Sequence, residues 1–307
     1  MKNQFTPTIK DIFILLILTS ILFGCNKNDT KTWDDKGDSK EQNPDAQILV
    51  HDGETREYVL YVPNSYDEIT AVPLMLNFHG YSGNASEYMT YADMRSLAES
   101  ENFILVYPQG STLDGSPHWN PSLPGNENKS NADDLGFIEA LINKLATDYM
   151  IDMKRIYACG YSNGGMMSYG LASHKSNLIA AVGSISGVMI DTDIIPSHPM
   201  PIIKIHGTSD EILPYNGNNG VYNSVGATLE YWRNFNNTNT TPMVTSFNDN
   251  GTVIEHFVYA NGDNGATVEH YKVIEGGHVW FDMNYQEAST SKLIWGFVSR
   301  YNINGLQ

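Results

Sequence analysis

The stretch from Gly160 to Gly164 reads GYSNG and places one serine, Ser162, between two glycines. An apolar run of strand type, IYAC, precedes it, and a segment containing Ala and Met follows it. A serine on a tight strand-to-helix turn has a strained backbone, and flanking glycines leave room for that turn. The start of the following helix directs N–H groups toward any oxyanion that forms nearby. The pattern predicts a nucleophilic serine, against the alternative that such a short motif recurs by chance.

A serine hydroxyl is a weak nucleophile that needs a base, and the base needs an orienting acid. Residues 202–210 read IIKIHGTSD, an apolar strand leading into a loop that ends on Asp210. Residues 273–278 read VIEGGH, a strand leading into a histidine, His278, that follows two glycines. Serine, acid and histidine occur in this order in one large class of hydrolases, each on a loop after a strand. The spacing therefore predicts a triad of Ser162, Asp210 and His278.

Other residues compete for these roles. His79 and His206 stand beside glycines at strand ends, and we expect both to be structural. Asp134 opens a predicted helix, which favours a role as a cap or a loop anchor. Asp191 and Asp193 follow a strand after the serine and remain rival candidates for the triad acid.

Segments of strand type alternate with helical patterns along most of the chain. Apolar strands are predicted at 47–50, 56–62, 73–79, 103–107, 156–159, 180–186, 202–206 and 268–274, and helices at 88–100, 133–149, after Ser162, at 224–235 and at 291–301. Such alternation predicts a single α/β domain over residues 46–307 with a mostly parallel sheet. The long loop at 108–130 is expected to be functional. The Asn- and Gly-rich runs at 248–251 and 261–265 favour turns over calcium loops.

The first 45 residues have a different character from the rest. Residues 1–24 combine lysines with a short apolar run and predict a signal peptide. The end of that run, LFGC, resembles a bacterial lipobox and predicts acylation of Cys25; the alternative is an ordinary secretory signal. Residues 25–45 are polar and predict a flexible tether. We expect a lipoprotein on the outer membrane or cell surface, or otherwise a secreted protein.

The composition excludes several classes of partner. The net charge of −17 argues against nucleic acids and anionic membrane surfaces, so membrane contact is expected only through a lipid on Cys25. The other cysteine, Cys159, lies within a predicted strand and is expected to be a buried, inert thiol. No metal site or cofactor is predicted.

Five motifs in order carry a resemblance to a known family. They are HG at 79–80, DDLGFI at 133–138, GYSNGGMM at 160–167, IHGTSDEILPY at 205–215 and GGHVW at 276–280. Over residues 46–301 the chain resembles the secreted esterases that include polyhydroxybutyrate depolymerases and feruloyl esterases. The resemblance implies the α/β-hydrolase fold, the triad named above, and an oxyanion hole formed by the backbone N–H groups of Tyr81 and Asn163. Tyr81 and Phe281 stand where many relatives carry cysteine and proline.

Together these features predict an extracellular serine esterase that needs no cofactor. Its expected substrates are feruloyl or acetyl esters on plant polysaccharide such as xylan; polyhydroxybutyrate is the alternative substrate. Trp119 and Trp280 are expected either to line an aromatic acyl pocket or to pack in the core. An alternative of another class, a glycan-binding lipoprotein on an inactive scaffold, predicts a broken triad, and all three residues are present.

Overall fold

The computed structural model describes residues 46–125, 128–190, 192–218 and 221–307. The predicted signal peptide (1–24), the tether (25–45) and the lipidation site Cys25 lie outside these residues. Within the described ranges, no helix has the length and apolar character needed to cross a membrane.

The strands, in chain order, are β1 (Ala46–His51), β2 (Glu54–Tyr61), β3 (Val72–Phe78), β4 (Ile104–Pro108), β5 (Ser111–Leu113), β6 (Ser116–His118), β7 (Ile151–Tyr161), β8 (Ala181–Ile185), β9 (Ile202–Gly207), β10 (Met243–Asp249), β11 (Thr252–Tyr259), β12 (Val268–Val273), β13 (Asn284–Tyr285), β14 (Ala288–Ser289), β15 (Tyr301–Asn302) and β16 (Gly305–Leu306). The helices are α1 (Ala85–Tyr91), α2 (Arg95–Glu101), α3 (Asp134–Asp148), α4 (Asn163–His174), α5 (Val225–Phe235) and α6 (Thr290–Val298), with a 3-10 turn at Asp263–Gly265.

Ten strands form one sheet in the order β1-β2-β4-β3-β7-β8-β9-β12-β11-β10. The six central strands, from β4 to β12, run parallel to their neighbours, and two antiparallel strands extend the sheet at each edge. Because all six parallel strands end at the same edge, the loops that follow β3, β7, β9 and β12 meet there. The predicted mostly parallel sheet is confirmed.

The central strands β3, β4 and β8 are apolar at nearly every position and are buried throughout, as expected of strands covered on both faces of the sheet. Leu74 and Leu76 of β3 enter the cluster that packs against α3, α4 and α5, whereas Met75 between them faces α1, α2 and α6. Cys159 is fully buried in the second cluster, as predicted, and burial raises the pKa of its thiol well above the usual range.

The predicted helix at 88–100 is wrong in one respect, because two helices, α1 and α2, occupy that region. The buried hydroxyl of Tyr107 donates to the carbonyl of Ala92 at 2.8 Å and accepts from the N–H of Met94 at 3.2 Å. It thereby satisfies backbone groups that a continuous helix would pair internally. The predicted loop at 108–130 likewise contains a short hairpin, β5–β6.

Candidate active site

Ser162 lies between the last residue of β7 and the first residue of α4. Its backbone has φ 55° and ψ −119°, a conformation that non-glycine residues rarely adopt. A Cβ on Gly160 would lie 2.5 Å from the backbone of Gly164, and one on Gly164 would lie 2.1 Å from the carbonyl oxygen of Phe78. The flanking glycines are therefore required for steric reasons, as the motif predicted.

His278 lies between Ser162 and Asp210 and contacts both. Its Nε2 is 2.8 Å from Ser162 Oγ, and its Nδ1 is 2.8 Å from Asp210 Oδ2. The three residues follow β7, β9 and β12, whose C-terminal ends share one edge of the sheet. The structure thus brings together all three residues that the sequence spacing selected, in the arrangement of a serine–histidine–aspartate relay.

Asp210 is surrounded by donors. Its Oδ1 accepts from the N–H groups of Ile212 at 3.0 Å and Leu213 at 2.8 Å, while Oδ2 faces His278 and also lies 3.3 Å from His206 Nε2. Burial alone would raise the pKa of Asp210, but the bonds from His206 and His278 outweigh it and hold that pKa well below its usual range. An ionised Asp210 keeps the proton of His278 on Nδ1, which leaves Nε2 to accept from the Ser162 hydroxyl.

The segment that follows β3 forms the other side of the site. The imidazole of His79 donates from Nδ1 to the carbonyl of Gly80 at 2.7 Å, and its Nε2 accepts from the N–H of Gly110 at 3.0 Å. This ring fixes the turn that carries Tyr81, in agreement with the structural role expected for it. Asn163 is the first residue of α4, so no carbonyl within the helix accepts its N–H.

The burial of two histidines should make the free energy of unfolding depend on pH. Burial lowers the pKa of His79 from 6.5 to about 4 and that of His270 to about 3. Between those values and pH 6.5 the unfolded chain binds protons that the folded chain does not, so the free energy of unfolding falls as the pH falls. We expect a loss of about 1.4 kcal/mol per pH unit for each histidine between pH 6 and 5. Urea unfolding at pH 7.5, 6 and 5 measures it, and equal free energies at pH 6 and 5 would contradict it.

Trp119 is one of the two tryptophans expected either to line an acyl pocket or to pack in the core. Its side chain is fully buried, packs edge-on against Phe78 and donates from Nε1 to the carbonyl of His79 at 3.0 Å. Trp280 is 9% exposed, and its ring packs edge-on against Tyr88. Both tryptophans therefore follow the core alternative. Tyr91, which is 53% exposed, is an aromatic residue left accessible in this region.

The side-chain role of Asn163 was missed. Its Oδ1 accepts from the N–H of Trp119 at 2.7 Å, and its Nδ2 donates to the carbonyl of the same residue at 3.0 Å. This pair ties the long loop to the start of α4. It joins residues 44 positions apart, and no spacing rule within one element could have indicated it.

Asp134 and Asp193 compete with Asp210 on sequence grounds, and the structure describes both. Asp134 is buried and accepts hydrogen bonds from Arg56 at 2.6 Å, Ser111 Oγ at 3.1 Å and Asn120 N at 2.8 Å. It therefore anchors the long loop, one of the two roles that the sequence favoured. Asp193 is exposed and Asp191 lies outside the described residues.

In the described part of the chain, one group of three side chains has the atom types that bind metal ions, and these residues are distant from the triad in the sequence. His51, Asp52 and Asp133 place a nitrogen and two carboxylate oxygens within 4.8 Å of one another. Asp133 also caps α3 with its other oxygen, and Asp52 is mostly exposed, so the group has a structural explanation. The runs at 248–251 and 261–265 form the β10–β11 turn and the turn before β12, as predicted.

This chain is similar to known proteins in both sequence and architecture. A bifunctional acetylxylan esterase/xylanase from Neocallimastix patriciarum is 28% identical over 82% of this chain, and a probable feruloyl esterase C from Aspergillus clavatus is 33% identical over 54%. The chain spans 34% and 58% of the lengths of these two relatives. The predicted resemblance to feruloyl esterases is confirmed.

The acetyl xylan esterase from Aspergillus awamori superposes with a TM-score of 0.58 over 76% of this chain and 94% of its own, at 17% identity. A thermostable esterase gives 0.54 over 84% of this chain and 62% of its own, also at 17% identity. At such identities the likeness concerns architecture alone, and it confirms the predicted α/β-hydrolase fold.

Residues 71–241 match the family described as phospholipase/carboxylesterase. That range includes Ser162 and Asp210, and His278 lies beyond its end. The matched range extends from β3 through the turn at Ser162 to the segment that follows α5, which is more than half of the chain. The chain therefore belongs to the phospholipase/carboxylesterase family.

Proposed function

We propose that this protein is a serine carboxylic-ester hydrolase. The observation that carries the proposal is the continuous relay from Ser162 through His278 to Asp210, with two contacts of 2.8 Å. The strained turn at Ser162 supports it, because such strain persists where the surrounding structure and a function require it. A non-catalytic binding protein has no need for either feature.

The geometry suggests the following cycle. Ser162 Oγ attacks the ester carbonyl carbon while His278 Nε2 takes its proton, and Asp210 stabilises the imidazolium. The backbone N–H groups of Asn163 and Tyr81 hold the oxyanion of the tetrahedral intermediate. His278 returns the proton to the leaving alcohol, and an acyl-enzyme forms on Ser162. Water, deprotonated by His278, then releases the acid, so every proton moves between the chain, the ester and water.

The proposed substrates are acyl esters carried by a polysaccharide. The names of the relatives above, acetylxylan esterase and feruloyl esterase, support this class. The burial of Trp119 and Trp280 favours acetyl over feruloyl, because neither predicted ring is available to stack on a phenolic group.

We expect kcat/KM for methyl ferulate not to exceed that for acetylated xylan, because the ring contacts that would favour a feruloyl group are missing. Each missing ring contact forgoes about 0.5–1.5 kcal/mol of stacking, and about 1.4 kcal/mol corresponds to a factor of ten. The measurement compares these two substrates and short hydroxybutyrate oligomers on the wild type and on Trp280→Phe, which keeps an aromatic ring in the core. A tenfold preference for ferulate that Trp280→Phe lowers would restore the aromatic pocket. A preference for the oligomers would identify a depolymerase.

We further propose that Cys25 is acylated and anchors the mature protein outside the cytoplasm. The support is the lipobox-like sequence LFGC followed by a polar segment of about 20 residues. We expect a clickable fatty-acid analogue to label the wild type and not Cys25→Ser, with Cys159→Ser labelled like the wild type. Equal labelling of all three proteins would contradict the anchor and favour a simple secretory signal.

A further inference from the structure

The loop that carries His278 begins with two glycines, of which Gly276 is closely packed and Gly277, next to the histidine, is not. A Cβ on Gly277 would find no atom within 4 Å, and Glu275 before the pair has φ 58°. The loop that carries Asp210 holds Glu275 and Gly276, the first residues of this segment. Ser209 N donates to the carbonyl of Gly276 at 2.9 Å, and Glu275 N donates to Thr208 Oγ1 at 2.8 Å. The position of the imidazole therefore depends on what holds the residues from His278 onward.

Three side-chain hydroxyls contact three consecutive residues there. Tyr161 Oη donates to the carbonyl of His278 at 2.8 Å, and Ser186 Oγ donates to the carbonyl of Val279 at 3.0 Å. The N–H of Trp280 donates to Tyr91 Oη at 3.2 Å. The hydroxyls come from three parts of the fold: the end of β7, the residue after β8 and the last residue of α1. We name Tyr161, Ser186 and Tyr91 the hydroxyl clamp.

Two members of the clamp are linked to the backbone of Ser162. Tyr161 directly precedes Ser162, and its ring centroid lies 5.2 Å from that of the His278 imidazole. Ser186 follows Ile185, whose carbonyl accepts from the N–H of Ser162 at 2.8 Å. The clamp therefore fixes the position of His278 relative to the backbone that holds Ser162.

We propose that the hydroxyl clamp positions His278 for proton transfer, and that its members are positioning residues of the proposed esterase reaction. The proposal rests on the triad assigned above. The imidazole must stay within hydrogen-bond distance of Ser162 and Asp210 while it gains and loses a proton, and displacements near 1 Å can cost about a hundredfold in rate. Asp210 orients the ring through Nδ1, and because Gly277 is unpacked, the clamp bonds hold the backbone that carries the ring.

The test uses Tyr161→Phe, which removes only the hydroxyl, Ser186→Ala, and the two combined, with p-nitrophenyl acetate as substrate. We expect each single change to lower kcat about three- to tenfold and the pair about thirtyfold or more, with KM within twofold. Phosphonylation of Ser162 by a fluorophosphonate should slow by the same factors, because it needs the same base. Tyr91→Phe alters a partly exposed residue and retains its ring, so it should remain folded and lower kcat about twofold.

Tyr157→Phe is the matched control. Tyr157 lies four residues earlier on the same strand, and its hydroxyl donates to the carbonyl of Tyr301 at 2.6 Å, a bond of the same type. It should lower Tm as Tyr161→Phe does and leave kcat unchanged. The clamp proposal is overturned if Tyr161→Phe and Ser186→Ala also change Tm alone. Ser162→Ala, measured in parallel, separates the two proposals. If Ser162→Ala retains turnover, the triad is refuted. If Ser162→Ala loses turnover while the clamp variants stay fully active, only the clamp is refuted.

Discussion

Ser162→Ala is expected to lower kcat/KM for p-nitrophenyl acetate on the order of 10⁴- to 10⁶-fold, because the proposed acyl-enzyme forms on the hydroxyl of Ser162. His278→Ala should cost about as much, since the hydroxyl then has no base 2.8 Å away. The double variant should lose little more than either single one, because the two residues act as one unit.

Steady-state kinetics on the purified variants measure these effects, and thermal unfolding shows that each variant is folded. Ser168→Ala is the matched control, because Ser168 lies on the same helix and bonds only to the carbonyl of Gly164 among the described contacts. It should stay within a few fold of the wild type. Additive losses in the double variant would mean that Ser162 and His278 do not share a step.

Asp210→Asn is expected to reduce kcat/KM by about 10⁴ without unfolding the protein. An asparagine oxygen in place of Oδ1 can still accept from Ile212 and Leu213, so the loop keeps its shape. The amide in place of Oδ2 would instead offer hydrogens to His278 Nδ1. The imidazole would then carry its proton on Nε2, facing Ser162, and could not accept from the hydroxyl.

Asp193→Asn and Asp191→Asn complete this experiment, since both residues competed with Asp210 on sequence grounds. Both variants should keep kcat/KM near the wild-type value. The assignment of the acid is wrong if either of them loses activity while Asp210→Asn retains it.

The main architecture could be predicted because its signals are local. Strands such as β3 and β4 are apolar at almost every position, which indicates burial on both faces, and α3 repeats its apolar residues at helical spacing. Ser162, Asp210 and His278 could be selected because each follows such a strand, and parallel strands bring their ends to one edge.

Other features depend on contacts between distant residues, which local patterns do not record. The break between α1 and α2 depends on the hydroxyl of Tyr107, which belongs to the following strand. The burial of Trp119 depends on His79 and Asn163, which are 40 and 44 residues away. Their positions in the sequence placed both tryptophans near the site but could not determine the direction of their side chains.

The backbone conformation of Ser162 also matters for protein engineering. At φ 55° a glycine would be relaxed where a serine is held at a cost of about 1–3 kcal/mol. Heat resistance and reactivity therefore compete at this one position. A library of variants selected for thermal stability alone would enrich those in which glycine replaces Ser162. Selection for a more stable protein must therefore also measure turnover in every round.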